Sequence, residues 1–353
     1  MNARTTTARP TSTPVSVVVE TRAVSLIVLT TTLSISTFAL LFMGALVTSH
    51  GAGLAVPDWP TTFGENMFTY PPTKWIGGIF FEHVHRLVAS GIGVLTTLIA
   101  LWVSLYESRA SVRILTYISL IAVIAQGLLG GLTVMYQLPV IVSTMHAVLG
   151  QSFFLLTLLL TTIAWSDFEK KGQLFSFVDT NEQRSISRSC FSLIALLYGQ
   201  LFVGALMRHS ESGLAIPDFP FMGGSLLPLF TPTAIEKINT MRLAIGLGDV
   251  TQPQVLVHFA HRLLGLCLVL AFSIFLARLI RMRKSIPALW IVGGKLLAFL
   301  ITIQFTLGAF AIWTHRAPLL TSAHVVGGAA LLGGTALLLF QVLPLHRYFG
   351  FER

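Results

Sequence analysis

The sequence predicts an all-α integral membrane protein whose eight transmembrane helices form two tandem four-helix bundles. Three observations predict this fold class: an apolar composition, eight long apolar segments, and a repeat that relates the two halves of the chain. Of the 353 residues, 54% are hydrophobic and only 10% are charged, whereas a soluble protein is typically about 25% charged. This composition excludes an ordinary soluble globular protein.

Eight apolar segments are long enough to cross a bilayer as helices, for which about 20 residues suffice. They lie at approximately 24–48, 76–104, 113–136, 139–165, 187–208, 254–279, 286–313 and 317–343. The first segment, at about 25 residues, is longer than the apolar region of a signal peptide. It follows a polar tail, residues 1–21, that we expect to be disordered.

The basic residues indicate the orientation in the membrane. With a cytoplasmic N-terminus, 15 Lys and Arg residues fall on the cytoplasmic side, 5 on the outer side and 3 within spans. This asymmetry predicts a multi-pass protein of the cell (inner) membrane with both termini in the cytoplasm. The net charge of +9 comes from these basic residues, which lie mostly at the ends of the apolar segments. We therefore expect the lipid bilayer, and not nucleic acid, to be the partner.

The spans and charges predict five parts. They are a cytoplasmic tail (1–23), an N-terminal half (24–165), a charged cytoplasmic linker (166–186), a C-terminal half (187–343) and a second cytoplasmic tail (344–353). The loops at 49–75 and 209–253 then face outward, and the second has about 16 extra residues between Asp218 and His258.

The two halves repeat one pattern. Gly-Leu-Ala-Val-Pro-Asp-Trp-Pro at 53–60 matches Gly-Leu-Ala-Ile-Pro-Asp-Phe-Pro at 213–220, and His-Arg-Leu occurs at 85–87 and at 261–263. Gln126 precedes His146 by 20 residues, as Gln304 precedes His324. Because each half has four spans, both halves sit the same way up, which predicts a pseudo-two-fold axis along the membrane normal.

Four histidines lie within spans at one depth: His85, His146, His261 and His324. Each comes about 7–9 residues after the outer end of its helix, which places it roughly 10–14 Å below the outer surface. In each half the two histidines occupy parallel helices and can face each other across a shared cavity. Such a pair suits the axial ligation of a b-type haem. One such histidine alone often only hydrogen-bonds a neighbouring helix, but four at matched depth favour haem.

Other residues near the histidines fit a haem less specifically. Arg86 and Arg262 directly follow the first histidine of each pair, and we expect them either to pair with haem propionates or to anchor at the membrane surface. Eight glycines either admit a flat macrocycle or serve ordinary helix packing: Gly91, Gly93, Gly130, Gly131, Gly150, Gly308, Gly327 and Gly328. The remaining histidines have no counterpart in register, and we expect them at interfaces or in loops: His50, His83, His209, His315 and His346.

Glu82 distinguishes the two halves. It lies three residues before His85, on the same helix face, and its counterpart in the second half is His258. A carboxyl group in an apolar setting suits proton transfer. The alternative is a structural partner for Arg86. The acid in one half only predicts that the two sites differ in role, with reactivity in the first half.

These motifs together resemble the haem A synthase family. They are Glu82-x-x-His85-Arg86, the stretch from Gln126 to Val134 leading to His146, His261-Arg262, Gln304 leading to His324, and the Pro-Asp-Trp-Pro loop. The resemblance covers about residues 24–343. It implies an eight-helix bundle that oxidises a methyl group of haem O to a formyl group, by successive hydroxylations and loss of water, giving haem A for terminal oxidases.

The resemblance also implies roles for the site residues. His261 and His324 would hold a b-type haem cofactor, with Arg262 beside it. His85, His146 and Arg86 would line the site of the substrate haem O, with Glu82 as the catalytic acid. The implied partners are haem O, haem O synthase (a farnesyltransferase), cytochrome oxidase assembly proteins and an unknown electron donor.

Some family members carry a cysteine pair in the outer loops, and this chain does not. Its two cysteines, Cys190 and Cys267, lie in apolar segments, and Val56 stands where a loop cysteine is expected. A thiol relay in the loop is therefore excluded. For Asp58 and Asp218 in the loop motifs we expect a structural turn role, because Pro-Asp is typical of turns.

Two other functions use the same features. A di-haem b-type cytochrome for electron transfer would need the four histidines, but not Glu82 in one half only. A haem carrier or transporter without redox chemistry would fit a duplicated bundle. Transporters of that kind often have broken helices, whereas the prolines here fall mostly in loops and at span ends.

Overall fold

The computed structural model describes residues 14–168, 180–227 and 230–343, together with Leu345 and Phe349. The polar tail before Pro14, linker residues 169–179 and most of the tail after 343 lie outside the described residues, as does His346. The predictions made for them stay predictions.

Nine α-helices and one short 3-10 helix make up the described part of the chain. The α-helices are α1 (Pro14–Ser49), α2 (Gly78–Tyr106), α3 (Ala110–Met135), α4 (Val140–Phe168), α5 (Thr180–His209), α6 (Pro232–Leu243), α7 (Gln252–Arg281), α8 (Ala288–Trp313) and α9 (Pro318–Val342). All except α6 are long and apolar enough to cross a membrane, which confirms the eight predicted spans. The helix α1 begins inside the segment that was expected to be disordered.

Each half closes its four spanning helices into a ring. In the first half α1 contacts α2, α2 contacts α3, α3 contacts α4 and α4 returns to α1; α5, α7, α8 and α9 form the second ring in the same order. In this parallel arrangement the second and fourth helices of each ring, which carry the histidines, lie opposite each other across its centre.

The halves meet through α1 and α4 on one side and α5 and α9 on the other. In the most apolar stretch of each span, 50% of the residues of α4 and 56% of those of α9 are buried, compared with 17–33% in the other spans. Ser49 and Ser322 join α1 to α9 with a hydrogen bond of 3.0 Å between hydroxyls, and Ser152 joins Tyr198 on α5 at 3.0 Å. The contacts agree with a pseudo-two-fold relation, although the axis itself stays a prediction.

Both outer loops are built around the aspartate of the repeated motif. The carboxylate of Asp58 accepts hydrogen bonds from the N–H groups of Phe63 and Gly64, both at 2.8 Å, and from the Thr61 hydroxyl. Asp218 accepts from the N–H groups of Gly223 and Gly224 at 2.8 and 2.7 Å. The predicted turn role is confirmed.

The extra length of the second outer loop forms α6, which the sequence analysis did not predict. Thr231 caps the helix by accepting a hydrogen bond from the Ala234 N–H, and Pro232 occupies its first turn, where a proline costs no hydrogen bond. Ile238 of α6 is buried in a small cluster with Ile216 and Val255. The helix therefore covers the outer end of the second half.

Candidate functional site

Each of the four spanning histidines packs its ring against a glycine of a neighbouring helix. A methyl group added at Gly44, Gly130, Gly204 or Gly308 would lie 3.0–3.2 Å from Cε1 of His85, His146, His261 or His324, respectively. That separation is tighter than ordinary van der Waals contact, so these positions leave room for the imidazole rings only because they lack a side chain.

Two of these glycines, Gly44 and Gly204, were missed by the sequence analysis. They are separated by 160 residues, the same offset that relates the two Pro-Asp loop motifs. This matching offset could have identified the two glycines as a related pair. Which ring each glycine faces could not be predicted, because it depends on a contact between helices.

In the second half the two rings face each other closely. The ring centroids of His261 and His324 lie 6.2 Å apart, with the planes at 70°. Metal–nitrogen bonds of about 2 Å on both sides need a centroid separation of roughly 6 Å, so the rings have the spacing of a pair that shares one metal ion, and the side-chain amide of Gln200 lies 3.3 Å from His261 Nε2. His324 Nδ1 lies 3.0 Å from the backbone oxygen of Gln304, which favours the tautomer with Nε2 free to bind a metal.

In the first half the corresponding ring is held less firmly. The side-chain amide of Gln126 donates to the backbone oxygen of His146 at 3.0 Å, as that of Gln304 does to His324 at 2.8 Å. However, the buried Nδ1 atoms of His85 and His146 have no hydrogen-bond partner among the described residues. The second half fixes the orientation of one ligand, whereas the first leaves its ligands without that support.

Glu82 and Arg86 form a buried ion pair that holds the first outer loop. Arg86 Nη2 lies 2.5 Å from Glu82 Oε1, and the Val56 N–H donates to Glu82 Oε2 at 2.8 Å. The guanidinium group also donates to the backbone oxygens of Val56 and Asp58, both at 2.7 Å, and of Thr61 at 3.2 Å. The structural pairing with Arg86, the alternative considered for Glu82, is therefore present.

The second half builds the same frame around a histidine. The backbone nitrogen of Ile216 lies 3.1 Å from His258 Nδ1, and Arg262 Nε lies 3.1 Å from His258 Nε2. Arg262 also donates to the backbone oxygens of Ile216 and Phe221, at 2.8 and 3.0 Å. Both arginines thus hold the outer loops, and their pairing with haem propionates remains a prediction.

Comparison with known proteins identifies the family of this chain. The sequence model of the COX15-CtaA family, described as cytochrome oxidase assembly protein, matches residues 27–336. The chain belongs to this family.

Curated relatives of this COX15-CtaA family member carry the name heme A synthase. One from Alkalihalophilus pseudofirmus is 26% identical over 289 residues, which are 80% of this chain and 86% of the relative. One from Shouchella clausii is 27% identical over 81% of this chain and 86% of the relative. One from Geobacillus kaustophilus is 24% identical over 89% of this chain and 91% of the relative.

His83, expected at an interface or in a loop, lies near the outer end of α2 in this family member, beneath the first outer loop. It is fully buried, with its ring 5.3 Å from that of Tyr70 and 4.8 Å from that of Trp75. Thr62 Oγ1 lies 3.3 Å from its Nδ1. The loop folds back over the outer end of α2, and this burial depends on residues that sequence spacing does not relate to His83.

The glycines predicted to admit a macrocycle mostly contact protein side chains in this COX15-CtaA member. Gly130 and Gly308 face histidine rings, Gly131 faces Trp59, Gly150 and Gly327 face Gln126 and Gln304, and Gly328 faces Leu201. Only Gly91 and Gly93 have open space around them. The alternative interpretation, close packing within the bundle, is therefore correct for most of the set.

Proposed function

We propose that the chain is a haem A synthase, which oxidises one methyl group of haem O to a formyl group. The family and the names of the relatives support this activity. The observation that carries it is the asymmetry of the two halves, since one frame of arginine and loop backbone surrounds Glu82 in the first half and His258 in the second.

The histidine pairs of the two halves differ, and this difference suggests which half binds the haem cofactor and which binds the substrate haem. We assign a b-type haem cofactor to His261 and His324, because their rings already face each other at 6.2 Å and His324 has a hydrogen-bonded Nδ1. We assign the substrate haem O to His85 and His146. Among the described residues, neither Nδ1 atom of this pair has a hydrogen-bond partner, whereas in the second half His324 has one and only His261 has none; the less firmly held pair suits a haem that must be bound and released. Haem iron supplies the redox chemistry.

Glu82 is proposed to move protons during the reaction. Oxidation of a methyl group by successive hydroxylations consumes and releases protons, and a buried carboxyl group can exchange them. Its two oxygens accept hydrogen bonds from Arg86 and Val56, which hold the carboxylate in place, and each oxygen keeps a second lone pair that can accept a proton. Arg86 keeps the outer loop closed over this exchange by binding its backbone oxygens.

The test of this proposal is the conversion of haem O in cells that express the protein. Membranes of cells that make haem O but lack a haem A synthase should gain haem A when they express this chain. Haem O unchanged after expression of folded, haem-containing protein would reject the proposal.

A di-haem b-type cytochrome is the second candidate, since both halves carry a pair of histidines whose rings pack in the same way against glycines. In that case the purified protein would contain only haem B, and no haem A would form. The haem carrier without redox chemistry would instead release haem O unchanged.

The proposed setting is the cell membrane, with both termini in the cytoplasm and haem O synthase and oxidase assembly proteins as neighbours. Cysteine introduced at Glu65 or Glu236, both exposed in the outer loops, should react with an impermeant thiol reagent added to intact cells. Labelling only after the membrane is opened would invert this topology.

A further inference from the structure

Trp59 of the first outer loop inserts its side chain against α3. A methyl group added at Gly131 would lie 2.5–2.8 Å from three atoms of the Trp59 indole, so the ring rests directly on the glycine backbone. The preceding residue, Gly130, faces the ring of His146 in the same way. Consecutive residues of a helix point about 100° apart, so the indole and the imidazole contact adjoining faces of α3 at the same level.

In the second half, a different side chain lies at the position that corresponds to Trp59. The loop offset of 160 relates Trp59 to Phe219, and the offset of 178 relates Gly131 to Ala309. Phe219 lies edge-on to Phe305 and Trp313, with centroids 5.9 and 5.8 Å away. Its backbone oxygen accepts a hydrogen bond from the Trp313 indole at 3.1 Å.

The groups that fix Phe219 have no equivalents in the first half. The positions matching Phe305 and Trp313 are Gly127 and Met135, which offer neither an aromatic ring nor a side-chain N–H. The backbone on both sides of Trp59 is held by Arg86, but among the described residues its indole has neither an aromatic partner nor a hydrogen bond and rests on the backbone of α3, whereas two rings and a backbone hydrogen bond fix Phe219. The first cover can be displaced at lower cost than the second.

We propose that Trp59 is the releasable outer wall of the haem O site, which positions the substrate ring and must leave Gly131 for haem to enter or leave. This proposal rests on the proposed function, because it takes the first half as the substrate site. Phe219 is the corresponding fixed cover of the half that keeps its haem. This difference between Trp59 and Phe219 lets the second half retain its haem while the first half exchanges haem O.

The test measures haem release from the detergent-solubilised protein loaded with haem O. The variants are Trp59→Ala, which removes the wall, and Gly131→Ala, which copies Ala309 and displaces the indole. We expect haem O to transfer to a haem-scavenging apoprotein roughly tenfold faster in both, equivalent to about 1.4 kcal/mol of activation free energy for release. KM for haem O should rise more than kcat changes.

Ala309→Gly in the second half is the matched control, and it should leave the release of haem O unchanged. The double variant Gly131→Ala/Trp59→Ala should release haem O no faster than Trp59→Ala, since both changes act on one contact. Release at the wild-type rate from Trp59→Ala overturns the proposal, even if its thermal midpoint falls. Failure of the wild-type protein to bind or convert haem O overturns the proposed function instead.

Discussion

Glu82 and His258 occupy the same place in the two halves, each between the backbone N–H of its outer loop and the arginine one turn later on its helix. The carboxylate can accept both hydrogen bonds at once, whereas a neutral imidazole can accept at only one nitrogen. The fold therefore tolerates a weaker acceptor at this point, and we propose that the acid in the first half serves the reaction rather than the fold.

Replacement of Glu82 by Gln or His should stop conversion without unfolding the protein. Gln still accepts one hydrogen bond, and His copies the second half. We expect turnover to fall roughly 10²–10⁴-fold, the usual contribution of a proton-transferring group, with haem O or a partly oxidised haem accumulating. Chromatography of haems from cells with the variant as the only copy measures this. Normal haem A in the Gln variant would limit Glu82 to holding the loop.

Gly204 should control the haem of the second half through His261. A methyl group there would lie 3.0 Å from Cε1 and 3.3 Å from Nδ1 of His261, and overpacking of this kind costs about 1–3 kcal/mol. We expect Gly204→Ala to lower the haem B content and weaken the low-spin spectrum. Gly199→Ala is the control on the same helix, since no atom lies within 4 Å of its added methyl group. Equal haem B contents in the two variants would contradict the contact.

Asp58 should make the first outer loop sensitive to acid. Burial raises the pKa of its carboxyl group, but hydrogen bonds from Gly64, Thr61 and Phe63 lower it further, so the pKa lies below its ordinary value. A lowered pKa stabilises the folded loop above the ordinary carboxyl pKa of about 4, and this stabilisation disappears as the pH falls through the folded value.

Hydrogen exchange at the Phe63 and Gly64 amides, corrected for the intrinsic rate, should therefore be constant above about pH 5 and accelerate below about pH 4. Asp58→Asn keeps one acceptor but loses the charge, so its exchange should be faster and independent of pH over this range. Protection in the native loop that does not change with pH would show that the carboxylate is not needed.

His83 should be replaceable by Phe but not by Ala. Phe259 occupies the matching position in the second half and packs on Phe230, so an aromatic ring satisfies the site. Alanine would leave a cavity beside Tyr70 and Trp75, which typically costs about 2–5 kcal/mol. Thermal unfolding followed by loss of haem absorbance should show a lower midpoint for His83→Ala only. A Phe variant as unstable as the Ala variant would indicate that the imidazole nitrogens are required.

The sequence was sufficient for features that depend on periodicity or on the repeat. The eight spans follow from apolar length, and the turn role of Asp58 follows from local chemistry. The equivalence of Glu82 and His258 follows from one offset between the halves. Features that depend on contacts between distant segments were not predictable in this way. The burial of His83 requires the loop to fold back, and the Trp59–Gly131 contact joins a loop to a helix that is not its neighbour in the chain.

The helix α6 was missed for a different reason. It is short and polar, and it packs through a few residues such as Ile238, so its sequence lacks the long apolar signal of the spans. A Thr-Pro helix start at Thr231 was the local signal that could have indicated it.

We propose that the two halves divide the work, with the first exchanging and oxidising haem O and the second retaining a b-type haem. Haem chromatography of the purified His85→Ala/His146→Ala double variant, compared with the wild-type protein, tests this division most directly. We expect haem B to remain at the wild-type level with its low-spin spectrum, and haem O and haem A to be absent from the variant. Loss of haem B, or haem O and haem A at wild-type levels, would contradict the division.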